Sequence, residues 1–178
     1  MDEIYFCSRN KEFDLLSLSN FAELDYPISN GLEVGFITSE GAYQHAKYRV
    51  MDPEYALDVI FEARARTPEN GKLMKKLGSM TMYLKWKKAK MTASEFKAKE
   101  KADWWPKSDS SMLLILKEKF SKNPRFLKSL LATGTKPLHE SISRGGSNHW
   151  TFRKQPKVGA DRGGDALGRL LQIVRAES

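Results

Sequence analysis

The sequence predicts a helix-rich α+β domain with a few short strands, and three observations carry that prediction. β-leaning residues cluster near the start, in Ile4-Tyr5-Phe6-Cys7 and again from Leu32 to Ile37 after the turn signal Asn30-Gly31. Helix punctuation dominates from there on, with short polar residues or prolines before the periodic stretches and glycines after them. The 178 residues, 40% of them hydrophobic, are enough for one domain that buries most of its apolar surface. Residues 1–178 are therefore read as a single domain.

Taken in order, Asp52-Pro53 reads as an N-cap followed by proline at the first helical position, opening a helix with Ala56, Val59, Ile60 and Ala63 on one face. Thr67-Pro68 repeats the device, and Gly78 ends that helix. Asp109 or Ser110 is a candidate cap for a helix with Met112, Ile115, Leu116 and Phe120 at core spacing. Asn123-Pro124 opens another helix that stops at Gly134. Leu138 to Ser141 is a candidate strand, and a glycine-rich, basic loop runs from Arg144 to Gly164. A final helix over Ala166 to Val174 buries Leu167, Leu170, Leu171 and Val174.

A net charge of +8 favours anionic partners, either nucleic acid or phosphorylated small molecules. The positive excess is uneven: Lys85 to Lys101 holds seven lysines against only Glu95 and Glu100. The plain reading is a solvated helical face; the functional one is a nucleic-acid surface, with Trp86, Trp104 and Trp105 available to stack on bases. Apolar runs such as Met112 to Leu116 fall far short of the roughly 20 residues a spanning helix needs, so no membrane association is expected. The acidic opening Met1-Asp2-Glu3 lacks a signal peptide's charge pattern, and the single cysteine, Cys7, has no partner for a disulfide or a cysteine-based zinc site. A cytoplasmic protein is expected. His45, His139 and His149 lack metal-ligand spacing, so no metal and no cofactor are expected. Gly145-Gly146 and Gly163-Gly164 are too short for a phosphate-binding fingerprint.

The segment most suggestive of chemistry follows Ile37. Thr38 or Ser39 can cap a helix in which Glu40, Tyr43, Gln44 and Lys47 recur at i, i+3, i+4 and i+7 and so share one face. Ala42, Ala46 and Val50 form a smaller apolar face that can pack inward while the polar face lines a cleft. Glu40 sits in the first turn, where the helix dipole favours the ionised carboxylate. Lys47 lies roughly 10 Å further along the axis at about 1.5 Å per residue, so a direct pair between the two is strained. Spacing alone equally describes an ordinary amphipathic helix facing water.

Glu40-x-x-Tyr43-Gln44-x-x-Lys47 resembles the signature helix of the NADAR, or YbiA-like, family. Four further elements agree in order: Ser19-Asn20-Phe21; Asp103-Trp104 with Met112 and Lys119-Phe120; Leu131 and Thr133-Gly134 with Leu138 and Glu140; and Leu167-Gly168 with Leu171 and Val174-Arg175. The chain departs from the family where Thr151 follows Trp150 in place of a glycine and where Asp165 stands in place of an asparagine. The stretch around 79–102 looks longer than in typical members and is read as a lysine-rich insertion forming a lineage-specific surface.

The resemblance implies an N-glycosidase associated with NAD and ADP-ribose metabolism. Cleaving a ribosyl C1′–N bond passes through an oxocarbenium-like state, which needs a carboxylate at the anomeric carbon, an activated nucleophile and help for the departing base. By that resemblance Glu40 is the first candidate for the carboxylate, with Asp103 and Glu140 as reserves. Lys47 is either an anchor for a phosphate or hydroxyl, or an amine that forms an imine with the ring-opened sugar. Asn20, Phe21, Tyr43 and Gln44 are candidate substrate-binding residues, and Trp104 and Trp150 are candidates for stacking on a base. The expected substrate carries an ADP-ribosyl or ribose-phosphate group, foremost ADP-ribose on an N-linked acceptor such as guanine. A ribosylaminopyrimidine phosphate of riboflavin biosynthesis is the second substrate reading, and a non-catalytic binder of ADP-ribose, NAD derivatives or nucleic acid is the third.

Overall fold

The structure, a computed structural model, describes residues 2–29, 35–65, 69–88, 90–141, 148–152 and 164–178. Two short strands, β1 (Ile4–Phe6) and β2 (Leu138–Glu140), pair in parallel with Ile4 opposite Leu138 and Phe6 opposite Glu140. Parallel partners need a long crossover, and most of the helices lie between them in sequence. These are α1 (Phe13–Leu16), α2 (Ser39–Met51), α3 (Pro53–Tyr55), α4 (Asn70–Leu77), α5 (Met80–Trp86), α6 (Ala93–Lys99), α7 (Trp105–Lys122) and α8 (Pro124–Ala132), with α9 (Ala166–Glu177) closing the chain. Two π-helical stretches, Ala56–Phe61 and Glu100–Trp104, continue α3 and link α6 to α7. The helix-rich α+β class is as expected.

Several local signals act as their chemistry predicts. Thr38 caps α2 by accepting a hydrogen bond from the Gly41 amide at 3.1 Å, and Asp52 caps α3 by accepting from Tyr55 at 3.2 Å. Gly78 ends α4, and α9 buries Leu167, Leu170, Leu171 and Val174, each contributing about 1.5–3 kcal/mol relative to exposure. That helix reaches β2 because Gly168 has no side chain: a Cβ there would lie 2.0 Å from the Leu138 carbonyl oxygen. Asp165, at the start of α9, has φ 50°, a left-handed conformation that asparagine and aspartate tolerate better than most residues. Its carboxylate meets His139 Nδ1 at 2.7 Å.

Other expectations are corrected. The helix assigned a start at Asp109 or Ser110 begins at Trp105, because Pro106 is accepted in its first turn and the preceding π-helical stretch runs straight into it. Asp109 lies inside that helix and takes a 2.6 Å contact from His149 Nε2. Of the expected strand from Leu32 to Ile37, residues 35–37 are described, and there Phe36 forms an antiparallel bridge to Ile28; residues 32–34, the turn Asn30-Gly31, Thr67-Pro68 and most of the loop from Arg144 to Gly164 lie outside the described residues. Within the lysine-rich segment, Lys85, Lys88, Lys90, Lys97 and Lys101 are exposed, while Tyr83 and Phe96 are buried. Trp86 packs edge-on against Tyr55 at 5.1 Å.

The largest correction concerns α2. Ten of its thirteen residues are buried, including Glu40, Gln44, His45 and Lys47, whereas Ala46 and Val50 of the expected inward face are only half-buried. α2 is the central element, packed against α4, α7 and both π-helical stretches. Apolar patterning did not bury this helix. Glu40, Tyr43 and Lys47 have partners that make their burial tolerable, whereas both ring nitrogens of His45 are buried without a hydrogen bond among the described residues.

Candidate active site

The site starts where two backbone segments are stitched together. The Glu40 amide donates to the Asn20 carbonyl at 2.9 Å, and Thr38 Oγ1 donates to Asn70 Oδ1 at 2.9 Å. Behind them the fully buried Lys119 of α7 donates from Nζ to the Ser19 carbonyl at 3.0 Å, with the Phe120 and Phe126 rings 5.0 and 5.4 Å from its nitrogen. These bonds fix Asn20, Phe21 and Glu40 on one wall of a cleft of about 370 Å³, within the size range of small-molecule sites. Tyr43 and Gln44 extend that wall one helical turn on; Lys75 of α4, Glu140 of β2 and Trp150 complete it.

Gln44 Nε2 donates to Glu40 Oε1 at 2.9 Å, and Gly78 permits that placement, since a Cβ there would fall 1.9 Å from Gln44 Oε1. Tyr43 is locked from two sides. Trp104 Nε1 donates to its hydroxyl at 3.0 Å, and the Trp150 ring packs edge-on at 5.3 Å. Trp150 is itself presented by Asn148, whose Oδ1 accepts from the amides of Trp150 and Thr151 at 2.9 and 3.1 Å.

The two carboxyls of the cleft differ electrostatically. Burial raises Glu40 above its ordinary value, opposed by the Gln44 hydrogen bond and then by the charges of Lys75 and Lys47. Glu140 is pushed up to about 7, first by burial and then by the Glu40 carboxylate, with Lys75 opposing. Burial thus raises both carboxyls, and Glu140 keeps its proton close to neutral pH. Lys119, faced by Glu140, is lowered to about 7 by burial.

The structure brings together Asn20, Phe21, Glu40, Tyr43, Gln44, Glu140 and Trp150. It does not bring Lys47, Asp103 or Trp104 to the cleft wall. Lys47 Nζ lies 2.5 Å from Glu100 Oε1 and 3.4 Å from the Gly78 carbonyl, with Tyr48 and Phe96 rings at 5.2 and 5.4 Å. Its charge ties α2 to the π-helical stretch after α6. Asp103 pairs with Lys99 at 2.6 Å on the surface, and Trp104 is 1% exposed, its indole spent on Tyr43. Among the described residues no group of three or more His, Cys, Asp or Glu is arranged to hold a metal, and no helix is long and apolar enough to cross a membrane.

Sequence reading missed Lys75 and Glu100. Lys75 is one of three lysines in α4, and nothing local separates it from Lys72 and Lys76. Glu100 is 53 positions from Lys47 and sits among solvent-facing lysines, so no spacing connects the two.

Fold and cleft together define a helix-rich α+β protein whose small-molecule-sized site brings together two buried carboxyls, Glu40 and Glu140, and a lysine, Lys75. The chain belongs to the NADAR family: the NADAR domain matches residues 5–177. In fold it is similar to the NMR structure of the E. coli protein YbiA, with a TM-score of 0.61 and 21% identity, covering 99% of this chain and 86% of that one. No curated protein matches the chain. Membership in the NADAR family implies an N-glycosidase-like, hydrolytic function.

Proposed function

We propose that the chain removes ADP-ribose from an N-linked acceptor such as guanine by hydrolysing the ribosyl C1′–N bond. The observation that carries this reading is the carboxyl pair of one cleft: Glu140 is pushed up to about 7, and Glu40, raised by burial, is hydrogen-bonded by Gln44 and faced by the Lys75 charge. A pair of carboxyls flanking a scissile glycosidic bond serves as acid and as charge stabiliser. Glu140 gives its proton to the leaving nitrogen as the C1′–N bond breaks. Glu40 stabilises the positive charge spread over C1′ and the ring oxygen. Water then adds to C1′ and returns a proton to Glu140, so the site is restored.

Lys75 supplies the positive charge for a phosphate, and Trp150, part-buried against Tyr43, supplies an aromatic surface for the departing base. The exposed lysines between Lys85 and Lys101 suit nucleic acid as the carrier of the modified base, with affinity falling as salt rises. A substrate panel tests the reading: ADP-ribosylated guanine DNA, ADP-ribosylated protein, NAD-derived cyclic nucleotides and the ribosylaminopyrimidine phosphate of riboflavin biosynthesis. Release of ADP-ribose from the first, with unmodified guanine left in the DNA, is expected. Turnover confined to the pyrimidine phosphate would move the function to that chemistry, and binding of any of them without product would make the chain a binder.

A further inference from the structure

A second cleft of about 390 Å³ adjoins the first and shares Ser8 and Phe21 with it. Its character differs. Phe13, Leu16, Ala22 and Phe126 line it, and two carboxylates, Glu23 and Glu69, sit at it in place of the catalytic pair. Phe13 is 36% exposed yet held in place, edge-on to Phe126 at 5.2 Å and with the Arg125 guanidinium 4.5 Å from its ring centroid. A fixed, exposed aromatic ring is the surface on which a planar base stacks.

The boundary between the clefts is also built. Gly71 lets α4 press against Phe21, since a Cβ there would lie 2.6 Å from the Phe21 Cα. One turn on, Lys75 Nζ stands 5.5 Å from the Phe21 ring centroid and faces the first cleft. Lys72, at the second cleft, is paired with Glu69, whereas Lys75 has no carboxylate in salt-bridge contact among the described residues. The free cation therefore stands at the junction, where an anionic linker between the two clefts would pass.

Resting on the glycosidase reading of the first cleft, we propose that the second cleft holds the planar base at the far end of the substrate. The reacting ribosyl group lies at Glu40 and Glu140, its phosphate linker crosses beside Lys75, and the distal base stacks on Phe13. The chain is thereby built for a ribosyl group joined through phosphates to a second nucleoside, and a ribose monophosphate fills only half of the site.

The test uses the full chain, ADP-ribose and ribose 5-phosphate, followed by amide chemical shifts and by calorimetry. Both ligands are expected to shift the amides of Glu40 and Gln44, and only ADP-ribose those of Phe13, Leu16 and Ala22. Phe13→Ala should weaken ADP-ribose about tenfold, as loss of one base–aromatic stack does, and leave ribose 5-phosphate unchanged; Phe13→Tyr should restore the affinity. ADP-ribose shifts confined to the first cleft, or equal weakening of both ligands by Phe13→Ala, would overturn the proposal and leave the glycosidase reading standing. Absence of shifts at Glu40 and Gln44 with either ligand would overturn both. Should Phe13→Ala fail to fold, the shifts of the unmodified chain decide alone.

Discussion

Replacing Glu140 with glutamine removes the group whose protonation the cleft distorts most usefully. Its carboxyl moves from an ordinary 4.5 to about 7 on folding, a differential of roughly 3 kcal/mol at about 1.36 kcal/mol per pH unit. Between those values the folded chain holds a proton that the unfolded chain has released, so this group's contribution to stability is whole below 4.5 and is lost as pH rises through about 7. Glu140→Gln is neutral at every pH. It should match the parent near pH 4 and exceed it near pH 8 by up to roughly 3 kcal/mol, less whatever Lys119 loses when its facing carboxylate disappears. Urea midpoints measured from about pH 4 to pH 8 give the comparison. In turnover, the parent's rate should fall above about pH 7 as the acid is lost, while the variant is slow throughout and lacks that limb. Stability curves that run parallel over the whole range would refute the reasoning.

Lys47→Met should destabilise by about 3–5 kcal/mol, the usual cost of leaving a largely buried partner charge uncompensated, and the double variant with Glu100→Gln should recover most of it; additive losses in urea unfolding would show that the 2.5 Å pair does not hold α2 in place. Borohydride added during turnover should leave no sugar on Lys47, and an adduct there by mass spectrometry would return it to the chemistry. Gly78→Ala forces the Gln44 amide off Glu40, so the rate should fall while a circular dichroism spectrum stays native; an unchanged rate would separate Gln44 from the function. Lys119, lowered to about 7, is neutral in the folded chain where the unfolded chain still carries the proton, so its contribution to stability rises with pH from about 7 to 10.5 and Lys119→Met should flatten that rise in an unfolding series.

Features set by neighbours in sequence were legible: the caps at Thr38 and Asp52, the stop at Gly78, the apolar face of α9, the β-leaning piece at Ile4 that became β1 and the candidate strand at Leu138 that became β2. The start of α7 was not, because Asp109 and Ser110 look like caps and nothing in composition announces a π-helical stretch running into Trp105. The burial of α2 was hidden for a deeper reason. Its polarity points to solvent, and only residues far away in sequence reverse that: Glu100 for Lys47, Asn20 for the Glu40 amide, Trp104 for Tyr43. The candidate residues on α2 could be named from their pattern; which of them face the cleft depends on partners between 20 and 61 positions away.

The central claim is that Glu40 acts on the reacting carbon. The direct measurement is single-turnover release of ADP-ribose from ADP-ribosylated guanine DNA by Glu40→Gln, alongside its affinity for ADP-ribose. Affinity kept within a few-fold and a rate lower by about 10²–10⁴, the span typical of a positioned catalytic group, is the predicted result. A variant that keeps most of the parent's rate would contradict it.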